Sequence, residues 1–393
     1  MHKVLWFALS FILTFAGCTN KQTRLSNQPQ AGPSNNIPDN WALLPFVKID
    51  SVNPVLKTGD GRFTDPILKK EILWEEKDVF NPAIVYRAGK IYMFYRAQGK
   101  MGKPRGTSRI GLAVSTDALH FTKRGEPVLF PQDGAYKKFE WEGGCEDPRI
   151  VEDSLGTYYM TYTAYDGVRA RLFVATSTDL INWKKHGSVF ANAFNGKYAD
   201  EWSKSGSIVS VYKDGKVIAK KINGKYWMYW GDTQVWGAVS DDLINWAPVE
   251  ISGAVQPTVK LRNQAGDIPA LKVLLRTRGG KFDSDLIEPG PPAMLTDKGI
   301  LLLYNSRNDA TLGDKSLPQH MYSASEVLFD KNDPTKVLRR LDTWIIKPEK
   351  PYEIVGQVDH VCFVEGLTFF KNKWYLYYGT ADSKIAVACS VPK

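Results

Sequence analysis

Apolar residues recur at every second position over short runs of this chain, and Gly, Asn and Asp fall between the runs. That period predicts half-buried β-strands joined by tight turns, and stretches with a helical period are nearly absent. The runs fall into similar groups. The first reads Phe80-Asn81-Pro82-Ala83-Ile84-Val85, turns at Ala88-Gly89, continues from Ile91 to Arg96, and reaches Ile110 to Val114 and Ser115-Thr116-Asp117. The second reads Glu146-Asp147-Pro148-Arg149-Ile150-Val151, then Tyr158 to Tyr162, Leu172 to Ala175 and Ser177-Thr178-Asp179. The third lacks the opening motif but carries Ile222-Asn223-Gly224, Tyr226 to Trp230, and Val235 to Val239. Its Asp242-Leu243-Ile244-Asn245-Trp246 repeats Asp179-Leu180-Ile181-Asn182-Trp183. The fourth opens on Ile287-Glu288-Pro289-Gly290, and the fifth on Val364-Glu365-Gly366 followed by Trp374 to Gly379.

Repeats of roughly 70 residues, each a set of strands that cannot bury its faces alone, predict an all-β fold. The expected architecture is a five-bladed β-propeller of four-stranded antiparallel blades, with the stretch from about Trp41 supplying a closing strand. The first strand of each blade would then line the axis, so the opening motifs converge. Asn81, Asp147, Glu288 and Glu365 hold equivalent places in four of the units. An acid before Pro or Gly can serve only to cap a turn. Three acids at one register favour a shared pocket instead.

Composition adds limits. With 393 residues, 43% hydrophobic and 12% aromatic, the chain can bury one large core. The start, Met1-His2-Lys3 followed by an apolar run from Val4 to Ala16, has the form of a secretory signal. Phe15-Ala16-Gly17-Cys18 resembles a lipobox, which predicts a lipoprotein signal peptide over 1–18, lipidation at Cys18 and a membrane partner through that anchor. Residues 19–40, rich in Asn, Gln, Pro and Ser, read as a flexible tether, and 41–393 as the catalytic domain. The expected location is extracytoplasmic, on a bacterial membrane, facing the periplasm or the cell surface. Cys145, Cys362 and Cys389 are widely spaced and suggest neither a disulfide framework nor a zinc site. A net charge of +9 suits anionic partners. The basic residues are scattered, however, and no nucleic-acid surface is indicated.

Grouped carboxylates with aromatic platforms suit carbohydrate chemistry. Glycoside cleavage needs one acid to protonate the departing oxygen and one to activate water, roughly 6.5–9.5 Å apart when configuration inverts. Arg87, Arg96, Arg149, Arg169 and Arg171 could orient those carboxylates or bind an anion.

Phe80-Asn81-Pro82, Gly144-Cys145-Glu146-Asp147-Pro148-Arg149, Tyr158 to Thr163, Lys221-Ile222-Asn223-Gly224-Lys225 and Tyr377-Tyr378-Gly379-Thr380-Ala381-Asp382 resemble glycoside hydrolase family 130. The resemblance runs from about Trp74 to Ala388. It implies a five-bladed propeller acting on β-mannosides, as an inverting phosphorylase or an inverting mannosidase. It implies that Asp147 is the general acid, working through a mannose hydroxyl. It also implies phosphate contacts at Arg169 or Arg171 and at Lys221, with phosphate as a co-substrate only in a phosphorylase. The His-Arg-Pro element that completes the family's phosphate site is replaced here by Tyr229-Trp230-Gly231-Asp232, a loss that favours water as nucleophile. Glu288 and Glu365 are the candidate bases. Asn81, Arg96, Glu146, Arg149, Trp230, Asp232 and Asp382 are candidate sugar ligands, and Tyr95 is a second possible stacking face.

The expectation is therefore an inverting exo-acting β-mannosidase on β-1,2- or β-1,4-linked glycans. A phosphorylase is the first alternative, and a lectin-like lipoprotein without activity is another. The chemistry needs no metal or other cofactor. The loops 192–205 and 262–278 are expected to shape the subsites, and the sequence leaves linkage and oligomeric state open.

Overall fold

The computed structural model describes residues 40–102, 105–251 and 271–390, with the backbone of the short strands Thr258–Val259 and Ile268–Pro269. The expected signal peptide, Cys18, residues 19–39 of the tether, and most of the loop from 262 to 270 lie outside the described residues. Strands dominate. Helical structure among the described residues is limited to Lys137–Glu140, Pro351–Ile354 and the single turn Ala193–Gly196.

The strands form five antiparallel meanders. The first comprises Asp78–Arg87, Lys90–Gln98, Ser108–Ser115 and Thr122–Lys123, and the second Gly144–Glu152, Tyr158–Tyr165, Ala170–Ser177 and Lys184–Ser188. The third runs through Ser207–Ile208, Lys225–Trp230, Val235–Ser240 and Trp246–Pro248. In the fourth, Leu286–Pro289 and Met294–Thr296 both pair with Gly299–Arg307, followed by Tyr322–Phe329 and Val337–Arg340. The fifth has Cys362–Phe370, Lys373–Thr380 and Lys384–Ser390, and its fourth strand is Val47–Lys48 from the other end of the chain. The stretch after Trp41 thus supplies a strand to the last meander. Isolated parallel pairs, Ser108 with Gly144 and Ser210 with Met294, join neighbouring meanders at their inner edges.

Period-two alternation gives each strand two apolar faces, and each face meets a different neighbour. Phe94 and Leu112 of the first meander pack with Ile150 and Met160 of the second, while Met93 and Tyr95 pack with Tyr377 and Val387 of the fifth. Leu172 and Val174 meet Met228 and Ala238 of the third. Tyr229 and Val235 meet Ile300 and Leu302. Leu301 and Leu303 meet Val364 and Leu376. Burying each large side chain contributes about 1.5–3 kcal/mol before conformational entropy is subtracted.

The repeated Ser-x-Asp is a turn device. Ser115, Ser177 and Ser240 accept backbone N–H bonds two and three residues on, and Asp117, Asp179 and Asp242 do the same through Oδ1. Ala118, Leu180 and Leu243 follow at φ 70, 71 and 66. The aspartates pin that left-handed backbone and are not in the cleft.

Candidate active site

Proline cannot donate to a β-ladder, so an inner strand with X-Pro near its start must bulge there. The first meander skips Asn81 between Phe80 and Pro82, and the second skips Asp147 and Pro148 between Glu146 and Arg149. Both Asn81 and Asp147 sit at φ 49. The bulges turn their side chains toward each other, and Asn81 Nδ2 donates to Asp147 Oδ1 at 2.9 Å. At the same place Gly144, at φ 113, lies so close to Ser108 that a Cβ would fall 2.1 Å from its carbonyl oxygen, which restricts the position to glycine.

The third meander also has this element, displaced along the sequence. Gly231 N donates to Lys204 O at 3.0 Å, Ser207 pairs with Tyr229, and Ser205 between them has φ 58. Lys204-Ser205 is therefore the counterpart of Glu146-Asp147. The hairpin Ser210–Lys213 with Lys216–Ala219 separates it from the aromatic strand that sequence reading relies on.

These elements gather a charged cluster. Arg96 Nη1 lies 3.1 Å from Asp147 Oδ1, its Nη2 is 2.6 Å from Glu146 Oε1, and its Nε donates to Ser108 Oγ at 3.0 Å. Lys204 Nζ stands 3.3 Å from Asp147 Oδ2 and 4.0 Å from Glu288 Oε1, and Ser205 Oγ donates to that Glu288 oxygen. Sharing one ammonium keeps these two carboxylate oxygens within roughly 7 Å of each other, around one charge in the same cluster. Arg149, 1% exposed, donates to Gly290 O at 2.8 Å, Pro289 O at 2.7 Å and Asp147 O at 3.2 Å, tying the second inner strand to the fourth.

Burial raises the proton affinity of these acids, and their partners decide the outcome. For Asp147 burial is outweighed by Arg96, Lys204, the Asn81 amide and Arg149, so its carboxyl is held well below the usual carboxylate range. Burial prevails at Glu146 against Arg96, and at Glu288 against Lys204, so both are raised. Burial pushes Asp382 up to about 6 despite Arg96. Lys204 would be lowered by burial, but Glu288, Asp147, Glu146 and Asp232 hold it above its ordinary value.

Glu365 differs. Its meander bulges between Val364 and Gly366, with Val364 opposite Tyr378, whereas in the first meander the residue opposite the equivalent Tyr95 is Pro82. The glutamate lies one position deeper than Asn81 or Asp147. It is fully buried, neither oxygen makes a hydrogen bond, and Oε1 is 3.2 Å from Arg149 Nη2. Burial drives its proton affinity well up.

Above the cluster opens a cleft of about 580 Å³ whose lining includes Arg96, Glu146, Lys204, Asp232 and Asp382. Tyr165, Trp202, Gln98, Arg105 and Gln357 are also on its walls. Other expected ligands lie apart. Arg169 Nη1 bonds Asp200 Oδ2 at 2.8 Å, and Arg171 bonds Asp200 and, at 2.8 Å, Asp166, so Asp200 and Asp166 together pair both arginines, neither of which lines the cleft. Lys221 lines a separate depression with Tyr212 and Trp374. Trp230, 1% exposed, packs on Phe190 and Trp236 at 4.8 and 5.2 Å and is core, as is Tyr95, whose hydroxyl donates to Glu75. Trp202, Lys204 and Ser205 belong to the loop 192–205 expected to shape the subsites, but the sequence did not single them out. The signal was the small-residue run Ser203-Lys204-Ser205-Gly206 ahead of an apolar strand. Among the described residues, no group of three or more His, Cys, Asp or Glu is arranged to hold a metal ion.

The profile of glycoside hydrolase family 130, described as beta-1,4-mannooligosaccharide phosphorylase, matches residues 52–391. A 1,2-beta-oligomannan phosphorylase of Thermoanaerobacter sp. (strain X514) is 32% identical over 344 residues, covering 82% of this chain and 94% of the relative. A putative glycoside hydrolase of Bacteroides ovatus ATCC 8483, solved by crystallography, is 43% identical with a TM-score of 0.83 over 90% of this chain and 98% of that one. A second solved structure is 43% identical with a TM-score of 0.84 over 91% of this chain and 96% of that one. It was described with the statement that this family of mannoside phosphorylases contains glycoside hydrolases that target beta-1,2 mannosidic linkages in Candida mannan.

Proposed function

The chain belongs to glycoside hydrolase family 130, and from that premise we propose that it is an inverting, exo-acting β-mannosidase built as a five-bladed β-propeller. The propeller reading is supported by five meanders that pack face to face in sequence, the fifth also against the first. Acting outside the cytoplasm through a lipid anchor at Cys18 fits a reaction that conserves no sugar phosphate.

The observation that carries the catalytic reading is Lys204, shared by Asp147 and Glu288. Asp147 delivers the proton to the departing oxygen, by way of a sugar hydroxyl, and Glu288 removes a proton from the attacking water. Water oxygen bonds the anomeric carbon as the glycosidic bond breaks, and configuration inverts. Glu288 suits a base because burial raises its proton affinity. Glu365, sealed away from the cleft, supports Arg149. Asp147 is held as the carboxylate, so it must take up a proton before it can act as the acid. Glu146, adjacent and sharing Arg96, is the nearest acid with a raised proton affinity.

Water is favoured over phosphate because Asp232 puts a carboxylate on the cleft wall and Asp200 and Asp166 hold Arg169 and Arg171 in ion pairs. Phosphorolysis is the second reading, supported by the phosphorylase relative at 32% identity. Incubation with β-1,2- and β-1,4-mannobiose, with and without inorganic phosphate, tests the choice. Free mannose released as the α-anomer without phosphate is expected. Mannose 1-phosphate formed only with phosphate would replace hydrolysis with phosphorolysis, and binding without any product would leave a lectin.

A further inference from the structure

A sugar ring presents an apolar C–H face and a rim of hydroxyls, so a site that orients one needs an aromatic plane on one side and polar groups on the other. The aromatics expected to serve, Trp230 and Tyr95, are core residues. Of the aromatic side chains lining the cleft among the described residues, there are two, Tyr165 and Trp202.

Tyr165 is the less suited. A Cβ on Gly143 would fall 2.4 Å from its ring, so backbone already occupies one side, and its hydroxyl donates to Gly167 O at 3.0 Å. Trp202 is half-buried and its indole N–H donates to Asp232 Oδ2 at 2.9 Å. The chain after it is held in place. Ser203 N donates to Ala170 O at 3.1 Å, Ser203 Oγ accepts from Leu172 N at 2.9 Å, and Lys204 O accepts from Gly231 N at 3.0 Å. A ring fixed at its edge and at its backbone loses little entropy when a ligand stacks on it.

We propose that Trp202 is the stacking platform of the catalytic cleft and its main determinant of sugar orientation, laying the apolar face of a β-mannoside ring against the indole and turning its hydroxyls to Gln98, Arg105 and Gln357. The assignment rests on the mannoside reading of the site. The same indole N–H fixes Asp232, so Trp202 also positions a carboxylate beside Lys204 and Glu288. These two functions are separable, because phenylalanine keeps a stacking plane and lacks the donor.

The experiment compares Trp202→Ala and Trp202→Phe with the unaltered protein. It reads kcat and KM on β-1,2-mannobiose and β-1,2-mannotriose, and calorimetric binding of the same sugars to each variant in an Asp147→Asn background. Trp202→Ala should raise KM and weaken binding by about tenfold or more. Trp202→Phe should keep KM within about threefold while lowering kcat, the split expected when an anchor for Asp232 is lost and the platform is kept. Unchanged KM and binding in a folded Trp202→Ala protein would overturn the assignment. So would equal losses of affinity in Trp202→Phe and Trp202→Ala. If the unaltered protein cleaves no β-mannoside, the functional reading fails, and binding in the Asp147→Asn background still decides for or against Trp202. Absence of binding there overturns both.

Discussion

Lys48 Nζ lies 2.6 Å from Glu353 Oε2 across 305 residues of chain, and the Tyr378 hydroxyl donates to the other oxygen of the same carboxylate at 2.8 Å. The arrangement recurs. Glu75 takes Tyr95 and Lys123, Glu140 takes Tyr162 and Lys185, and Asp283 takes Tyr304 and Arg340. In each case the acid precedes the inner strand, the tyrosine is on the second strand and the cation on the fourth. A buried carboxylate thus pins the outermost strand of four meanders to their interior, and in the fifth meander that strand comes from the N-terminus.

Breaking a buried pair from one side leaves a charge without its partner, which costs about 3–5 kcal/mol. Lys48→Met should therefore lower stability by about that amount in urea unfolding. The double variant Lys48→Met with Glu353→Gln should recover part of it, since neither retains a buried charge. Unchanged stability in both variants would show that the strand is held by its backbone pairing alone.

Much of this was legible in the sequence. The aromatic second strands, the Gly and Asn turns and the X-Pro bulges are local, so Asn81 and Asp147 could be matched by inspection. The rest depends on features that are not local. Lys204-Ser205 fell in a loop expected near the subsites, but its match to Glu146-Asp147 was hidden because an inserted hairpin parts it from its strand. Glu365 sits one position deeper than its motif suggests because the bulge moved. Arg169 and Arg171 were drawn out of the cleft by Asp200, about thirty residues on.

Glu326 is fully buried, and Leu43 N donates to its Oε2 at 2.8 Å while Oε1 has no hydrogen-bond partner. Burial pushes its carboxyl from 4.5 up to about 8, against the Leu43 N–H. Between those values the folded protein holds a proton that the unfolded chain has released. Its contribution to stability is therefore complete below about pH 4.5 and is lost as pH rises through about 8. Urea midpoints at a series of pH values should fall across that interval. Glu326→Gln should flatten the fall, and an unchanged slope would show that other groups cause it.

Asp147→Asn removes the proton donor but keeps an acceptor for Asn81 and Arg96, so the fold should persist while kcat drops by about 10²–10⁴-fold. Glu288→Gln should lose a comparable factor. Asp232→Asn should instead shift the acidic limb of the kcat/KM profile to lower pH. Its negative charge is one of the causes that raise Glu288, and removing it lets Glu288 release its proton sooner. A limb that stays in place would remove Glu288 from the role of base.

Trp230 occupies, in the third meander, the position that Tyr95, Tyr162 and Tyr378 hold in three others. It pairs with Trp236, four residues before Ser240, as Tyr162 pairs with Phe173, four before Ser177. Here the hydrogen-bonded carboxylate is replaced by aromatic packing on Phe190 and Trp236, and the indole N–H goes to Gly237 O at 3.2 Å. A sugar platform and a core residue respond differently to truncation. Trp230→Phe leaves space in the core and removes the indole bond to Gly237 O, which keeps its bond from Val249 N, so it should destabilise by about 1–3 kcal/mol, read as a lower urea midpoint. The KM of the folded fraction should be unchanged, because the ring is 1% exposed and does not border the cleft. A raised KM with unchanged stability would return Trp230 to the sugar site and weaken the case for Trp202.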